Sequence, residues 1–316
     1  MIATVPPTFR SAVAERINTA NARLTAASRH LLAASGKGIR PRCVQLVGAA
    51  LHPQGVTDDR HVQLGEAIEL LHVGSLIHDD ILDEAETRRG VSAVHVTFDA
   101  KVAVLAGDYL LSQASLLVAG LHNLTLTQRL AEVIAALCEG ELMQDEQLRD
   151  VNLGFESYLE RVAKKTAAPF ELASEGAARL SGADARMAAV ARRFGFHLGR
   201  QFQLVDDWLD WMSSEEELQK PVGQDLLAGS ITLPVLVALH SEAHGARLRA
   251  LLTPFPEHVS EEVRAIVLHP QNLAETAALI QAEGDRARRW LLEFPASPAR
   301  DELEAMVTAL MGRVAL

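Results

Sequence analysis

The sequence predicts an all-α protein, a single large helical bundle around a deep central cavity, and three observations lead there. Apolar residues recur at helical spacing in almost every informative segment. Alanine and leucine dominate these segments, and few stretches show the period-two alternation of β-branched residues that a strand needs. The chain has 316 residues, 48% of them hydrophobic, enough to bury a large core. One domain over residues 1–316, with about ten or more helices, is the most economical arrangement.

The elements follow in chain order. "SGKGIRPRC" reads as a glycine-bearing loop entering a helix and offers Lys37, Arg40 and Arg42. Glycine permits close backbone approach, and cations there suit a phosphate group, although the spacing of a P-loop is missing. "HVQLGEAIELLHVGSLIHDDILDEA" places Leu64, Ile68, Leu71, Ser75 and Leu82 near one broad stripe. It ends in Asp79, Asp80 and Asp83. The first and last of these are four residues apart and project side by side, where like charges repel unless a cation lies between them. Such a pair suits Mg²⁺, a hard ion that takes oxygen ligands and shares them with substrate phosphates. A solvated acidic helix end is the bland alternative, and Asp80, on another face, reads as solvated or supporting. Arg88 and Arg89 follow, before a turn at Gly90. Two guanidiniums there can clamp phosphate oxygens; surface ion pairs to Glu84 and Glu86 are the plainer reading.

"LTQRLAEVIAALCEGELM" is the next strongly helical run, and "AKKTAAPF" puts Lys164, Lys165 and Thr166 in a helical segment, where a lysine usually just snorkels. "DARMAAVARRFGFHLGRQFQLVDDWLDWM" opens on Asp184 as a cap and ends in Asp206, Asp207 and Asp210. Trp208 and Trp211 read as packing. Ser260, with Glu261 and Glu262 after it, starts a later helix. Gly55, Gly90, Gly120 and Gly182 sit where helices would stop, and Pro254 and Pro256 mark a surface connection. Two DDxxD pentads on two long apolar helices are harder to dismiss than one. If those helices face each other, their carboxylates can hold several Mg²⁺ ions around a diphosphate.

Composition sets outer bounds. The net charge of −11 disfavours a general nucleic-acid binder. Cys43 and Cys138 form neither a disulfide framework nor a zinc spacing, which points to a reducing cytoplasm. The N-terminal stretch does not read as a signal peptide. No apolar run approaches the ~20 residues needed to span a bilayer, so no transmembrane segment is expected.

Taken together, "GKGIRP", "HDDILDEAETRRG", "KKTAAPF", "FQLVDDWLDW" and "KPVGQDLLAGSITLP" resemble five ordered elements of the trans-isoprenyl diphosphate synthases, particularly the long-chain polyprenyl diphosphate synthases. The similarity runs from Lys37 to Pro234, with a weaker helical tail beyond. The resemblance implies a Mg²⁺-dependent prenyltransferase that adds isopentenyl diphosphate to an allylic diphosphate. It implies that Lys37, Arg40, His72 and Arg89 hold the diphosphate of isopentenyl diphosphate. Asp79, Asp83 and Asp206, with Asp210 in the same pentad, would bind the metal, three ions in this family. Arg88, Lys165 and Lys220 would add positive charge at the allylic diphosphate, with Thr166 and Gln203 in support. His72 lies seven residues before Asp79, two turns back on the same side of the helix. The proton lost in the reaction goes to pyrophosphate in this family, so no protein base is named. The resemblance also implies a homodimer. One departure stands out: Ser230 occupies a position where many members have lysine.

Product length is read from the residues before Asp79. Gly74 and Ser75 are small where short-chain relatives carry a bulky floor, and the pentad lacks the insertion of bacterial farnesyl-type enzymes. Both features favour a hexaprenyl to decaprenyl product, with geranylgeranyl as the rival. A deeper floor at Leu105, Tyr109 or Leu110 would shorten it. Three other readings compete. A terpene cyclase usually carries a different second metal motif. A helical metal phosphohydrolase would use the His78–Asp79 pair as ligands but leaves the second pentad unexplained. A subunit of a two-component synthase remains open to test by activity of the purified chain alone.

Overall fold

The computed structural model describes residues 7–34, 36, 38–212 and 222–314, and they are almost entirely helical. Two-residue strands β1 (Thr87–Arg88) and β2 (Val91–Ser92) form an antiparallel hairpin. The chain divides into two compact units. The first comprises Met1–Ile134, Pro169–Arg192 and Glu293–Leu303; the second comprises Ala135–Ala168, Arg193–Leu292 and Glu304–Leu316.

In the first unit, α1 (Pro7–Arg16), α2 (Ala22–Ala33), α3 (Ile39–Leu51), α4 (Asp59–Leu82), α5 (Val94–Phe98) and α6 (Ala100–Gly120) succeed one another. Helix α4 starts on a reciprocal cap: the Asp58 carboxylate accepts the Arg60 and His61 backbone N–H groups, and the His61 ring reaches back to Asp58 N. It packs on α3 and α6, so Leu64, Ile68, Leu71 and Ile77 are all buried. The expected stripe fails at its last member, because Leu82 lies at the helix end and is 66% exposed. Close approach of α4 to α6 depends on two glycines. A Cβ on Gly74 would lie 3.2 Å from Gly107 O, and one on Gly107 would lie 2.2 Å from His78 Nε2. Helix α6 has 21 residues and is, by length and composition alone, apolar enough to cross a membrane. It is packed on α2, α4 and α5.

The helix α7 (Leu124–Glu146) leads to α8 (Phe155–Val162), a π turn over Ala163–Ala167, and α9 (Ala168–Leu180). The π turn has a local cause. Pro169 has no N–H to return to the Lys165 carbonyl, and the ladder shifts so that Ala168 N bonds Ala163 O, one residue farther back than in an α-helix. Asp184 accepts Met187 N at 2.7 Å as α10 (Ala185–Met212) begins, as its position predicts.

In the second unit, α11 (Gln224–Leu227) precedes α12 (Leu233–His240), whose residues Leu233–Leu239 are all buried. A helix apolar all round belongs at the centre of its unit, and α12 packs on α13 (Gly245–Leu251), α14 (Glu261–Val267) and α15 (Pro270–Leu291). Ser260 caps α14 through Val263 N, and the non-helical stretch before it contains Pro254 and Pro256. The last long helix is α16 (Pro298–Met311). Gly182 lies just beyond α9 with φ +82°, and Gly120 ends α6, both as expected. Gly90 does not end a helix. It occupies the hairpin turn.

Candidate active site

Both acidic clusters close long helices at their C-terminal ends. Asp79 and Asp80 lie in the last turn of α4, and Asp83 is its C-cap, with Asp83 N bonded to Asp79 O at 2.8 Å. Asp206, Asp207 and Asp210 lie in the last two turns of α10. The carbonyl end of a helix carries about half an elementary negative charge, so carboxylates there add to a potential already of their own sign. Neither last turn contains a basic residue. Each end is therefore prepared for a cation.

Within each cluster the carboxylates have separate environments. Asp79 is half-buried and Asp83 exposed, whereas Asp80 is fully buried and accepts Arg88 Nε at 2.5 Å. Burial pushes the Asp80 carboxyl up, and the charge and hydrogen bond of Arg88 pull against it. Asp80 is thus not solvated, and Arg88 pairs with it instead of Glu84 or Glu86. In the second cluster Asp206 is exposed, while Asp207 is buried and accepts Tyr158 OH, Gln203 Nε2 at 2.8 Å and Leu233 N at 3.2 Å. Asp210 accepts the backbone N–H groups of Gln224 (3.1 Å) and Asp225 (3.3 Å). Both its oxygens cap α11, an occupation that the metal-ligand expectation for Asp210 did not foresee. Burial pushes Asp210 up to about 6; the two backbone bonds pull it down, and Asp207 and Asp206 repel its charge. Asp225 is pushed well above the carboxylate range by burial and then by Asp210, Asp207 and Asp206.

The hairpin after α4 sorts the arginines. Arg88 pairs with Val91 across the ladder, and the connecting residues Arg89 (φ 53°) and Gly90 (φ 78°) are both left-handed. That is the two-residue turn whose twist matches the strands. A non-glycine residue held there costs of order 1 kcal/mol and persists where its surroundings fix it. Arg89 donates to His72 Nε2 at 3.1 Å, which brings together two of the residues expected at isopentenyl diphosphate. The guanidinium of Arg40 lies 5.0 Å from the centroid of the Phe170 ring. Lys37 and Lys220 lie outside the described residues.

On the π turn, Lys165 forms an ion pair with Glu141 and donates to Gln144 Oε1 at 3.0 Å, while Lys164 pairs with Glu139 and Glu160. Gly140 makes room, since a Cβ there would lie 2.7 Å from Lys165 Cγ. Thr166 donates to Gln203 Oε1 at 2.7 Å, and Gln203 passes the chain on to Asp207. Thr166 and Gln203 therefore tie the π turn to the second pentad. Sequence reasoning missed Tyr158, Glu141, Gln144, Arg161 and Asp225. "GEL" before Gln144, and Tyr158 and Arg161 seven and four residues before Lys165, are visible in the sequence, but nothing local marks a polar residue that serves another. Arg161 is buried and donates to Ile231 O at 2.9 Å; burial pushes the Asp207 carboxyl up, and its hydrogen bonds and the charge of Arg161 pull against that.

At the positions read for product length, Gly74 abuts Gly107 and Leu110, so its smallness serves helix packing as well. Ser75 turns its hydroxyl back to His72 O at 2.9 Å. Leu105 is exposed and cannot act as a buried floor, whereas Leu110 is buried. His78 Nε2 meets Val104 O at 3.1 Å, so that ring nitrogen is engaged in the α4–α6 packing. Among the described residues no three His, Cys, Asp or Glu side chains form a ready-made metal cage. Mg²⁺ fits these residues nonetheless, because it takes one or two carboxylates and completes its shell with water and substrate phosphate.

A profile of the family described as Polyprenyl synthetase matches residues 21–268. The chain belongs to that family. It is a prenyltransferase, and its fold is that of the polyprenyl synthases. It is 38% identical over 292 residues to a prenyl transferase of Cyanophora paradoxa, covering 92% of this chain and 90% of the relative. It is 37% identical over 303 residues to solanesyl diphosphate synthase 2, chloroplastic, of Arabidopsis thaliana, covering 94% and 72%. Among solved structures, the polyprenyl synthase of Caulobacter crescentus complexed with calcium and isoprenyl diphosphate superposes with a TM-score of 0.86 at 31% identity, covering 98% of this chain and 94% of that one.

Proposed function

We propose that this prenyltransferase adds isopentenyl diphosphate units to an allylic diphosphate and releases a long-chain all-trans polyprenyl diphosphate of hexaprenyl to decaprenyl length. The observation that carries the reading is the pair of outward-facing carboxylate groups, Asp79 with Asp83 and, separately, Asp206, each at the negative end of a long helix without a basic residue in its last turn. The long-chain part rests on the similarity to a solanesyl diphosphate synthase and on the uninterrupted first pentad.

In this reading Lys37, Arg40, His72 and Arg89 hold the diphosphate of isopentenyl diphosphate, and Arg88, Lys165 and Lys220 meet that of the allylic substrate. Asp79, Asp83 and Asp206 would hold Mg²⁺, three ions in this reading, and the metal would supply charge neutralisation at the leaving oxygens. The allylic C–O bond breaks and its electron pair departs with pyrophosphate. Fixed cations of Arg88 and Lys165 stabilise that departing charge. The C=C bond of isopentenyl diphosphate attacks the allyl cation, a C–C bond forms, and the proton lost passes to pyrophosphate. Water must be kept out, or it would trap the cation. The buried, apolar flanks of α4 below the pentad suit that requirement.

A homodimer completes the reading. Helix α6 leaves Val104, Leu105 and Leu116 exposed at 43%, 49% and 65%, an apolar face that a second copy would cover. Location in a reducing cytoplasm is supported by two free thiols, Cys43 buried and Cys138 exposed. The test is product analysis. The purified chain is incubated with Mg²⁺, farnesyl diphosphate and labelled isopentenyl diphosphate, the phosphates are removed, and the alcohols are chromatographed. The expected product has six or more isoprene units. A geranylgeranyl product would keep the chemistry and sink the long-chain refinement. No elongation would sink the stand-alone synthase and point to a partner subunit.

A further inference from the structure

We infer that Asp80, the middle carboxylate of the first pentad, is a positioning residue that aims Arg88 at the allylic diphosphate and does not itself ligate metal. The inference rests on the synthase reading of the site and adds a residue to it. Helical geometry makes the division. Asp79 and Asp83 share one face, and Asp80 is turned about a quarter of the way round the helix from Asp79. That turn takes it indoors, to zero exposure. A buried carboxylate is costly unless a cation meets it, and Arg88 Nε meets Oδ1 at 2.5 Å.

Arg88 is prepared from its own side as well. Its backbone is fixed by the β1–β2 register opposite Val91, and the left-handed pair Arg89–Gly90 sets the turn. With Nε spent on Asp80, the plane of the guanidinium is fixed, and its remaining donors are the two terminal amino groups. Those are the groups that bind phosphate oxygens in pairs. Asp80 Oδ2 is buried and makes no hydrogen bond to a described residue. The second pentad repeats the device within its own unit: Asp206 is exposed, while buried Asp207 is spent on Tyr158, Gln203 and the Leu233 N–H.

The experiment is a double-mutant cycle on the full chain, read by steady-state kinetics. Wild type, Asp80→Ala, Arg88→Ala and the double variant are each assayed with the allylic diphosphate, isopentenyl diphosphate and Mg²⁺ varied in turn. Asp80→Ala is expected to raise KM for the allylic diphosphate about tenfold or more. KM for isopentenyl diphosphate and the Mg²⁺ concentration for half activation stay within about twofold. The double variant is expected to be no worse than Arg88→Ala alone. Additive losses would overturn the positioning role, and so would a shift in Mg²⁺ requirement like that of Asp79→Asn. Should Asp80→Ala fail to fold, Asp80→Asn keeps the shape and removes the charge, and the same cycle is run with it. Wild-type elongation is measured first. Its absence sinks the reading of the site, whereas normal elongation with an additive cycle sinks only the role of Asp80.

Discussion

A glycine and a histidine show how tightly single residues are set here. The ring of His78 lies where a side chain on Gly107 would have to go, with Nε2 bonded to Val104 O across the α4–α6 crossing. Gly107→Ala is therefore expected to destabilise the protein by about 1–3 kcal/mol through overpacking, seen as a lower denaturant midpoint. His78→Ala should remove part of that penalty in the double variant, while His78→Ala alone keeps Mg²⁺-dependent elongation. Loss of bound metal in His78→Ala would instead revive the phosphohydrolase reading. A second residue carries a pH dependence. Burial would raise the Glu283 carboxyl, yet the hydrogen bond from His197 and the charges of Arg200 and Arg286 hold it below its ordinary value. A depressed carboxyl stabilises the fold at pH values above its unfolded pKa, about 4.3, and loses that contribution as pH falls through the folded value. Glu283→Gln should cost about 1–3 kcal/mol near neutrality by taking the charged acceptor from part-buried Arg200 and from His197. Urea denaturation at descending pH should show the gap to wild type closing in acid; a gap that stays constant would refute the assignment.

Among the elements, the π turn over Ala163–Ala167 joins sequence to chemistry most directly. Pro169 removes the donor that Lys165 C=O would otherwise receive, and the resulting extra residue per turn presents Lys165 to Glu141 and Thr166 to Gln203. Pro169→Ala restores the donor. The helix is then expected to regularise with unchanged or higher thermal stability, while elongation falls about tenfold or more as Lys165 and Thr166 lose register. Unchanged turnover in a folded Pro169→Ala protein would show that the π turn has no part in the chemistry. The helices themselves were legible, because long runs such as α4 and α10 carry the 3.6-residue period and their caps Asp184 and Ser260 are spelled out locally. The hairpin was half legible. "RRG" announced a turn, but two-residue strands have too little periodicity to be seen, and Gly90 reads equally well as a helix stop. The partners of Asp80, Asp207 and Lys165 could not be read at all. They lie on elements 8, 49 and 24 residues away (Arg88, Tyr158 and Glu141), and only packing brings them together.

For the whole molecule, the exposed apolar residues of α6 raise the question of what covers them. In the fold α6 is packed on α2, α4 and α5, yet Val104, Leu105 and Leu116 remain exposed. Asp108, four residues after Val104 and three after Leu105, lies within the same face and is exposed, a charge that a bilayer core would penalise by about 2.5–3.5 kcal/mol at its centre. The proposed homodimer would put a second copy of the chain on this face. The sequence hinted at this only through resemblance, since an exposed apolar stripe and a buried one have the same period. Leu105→Glu with Leu116→Glu should leave the monomer fold nearly untouched, because exposed positions tolerate substitution within about 0.5 kcal/mol. It should also place like charges at the centre of the interface, where two copies would have to desolvate them. In sedimentation equilibrium the wild type is expected at twice 34.2 kDa and the double variant at the mass of one chain, with helical content preserved. A variant that stays dimeric would put the interface elsewhere, and a monomeric wild type that still elongates would remove the homodimer from the proposal while leaving the chemistry of the two pentads as it stands.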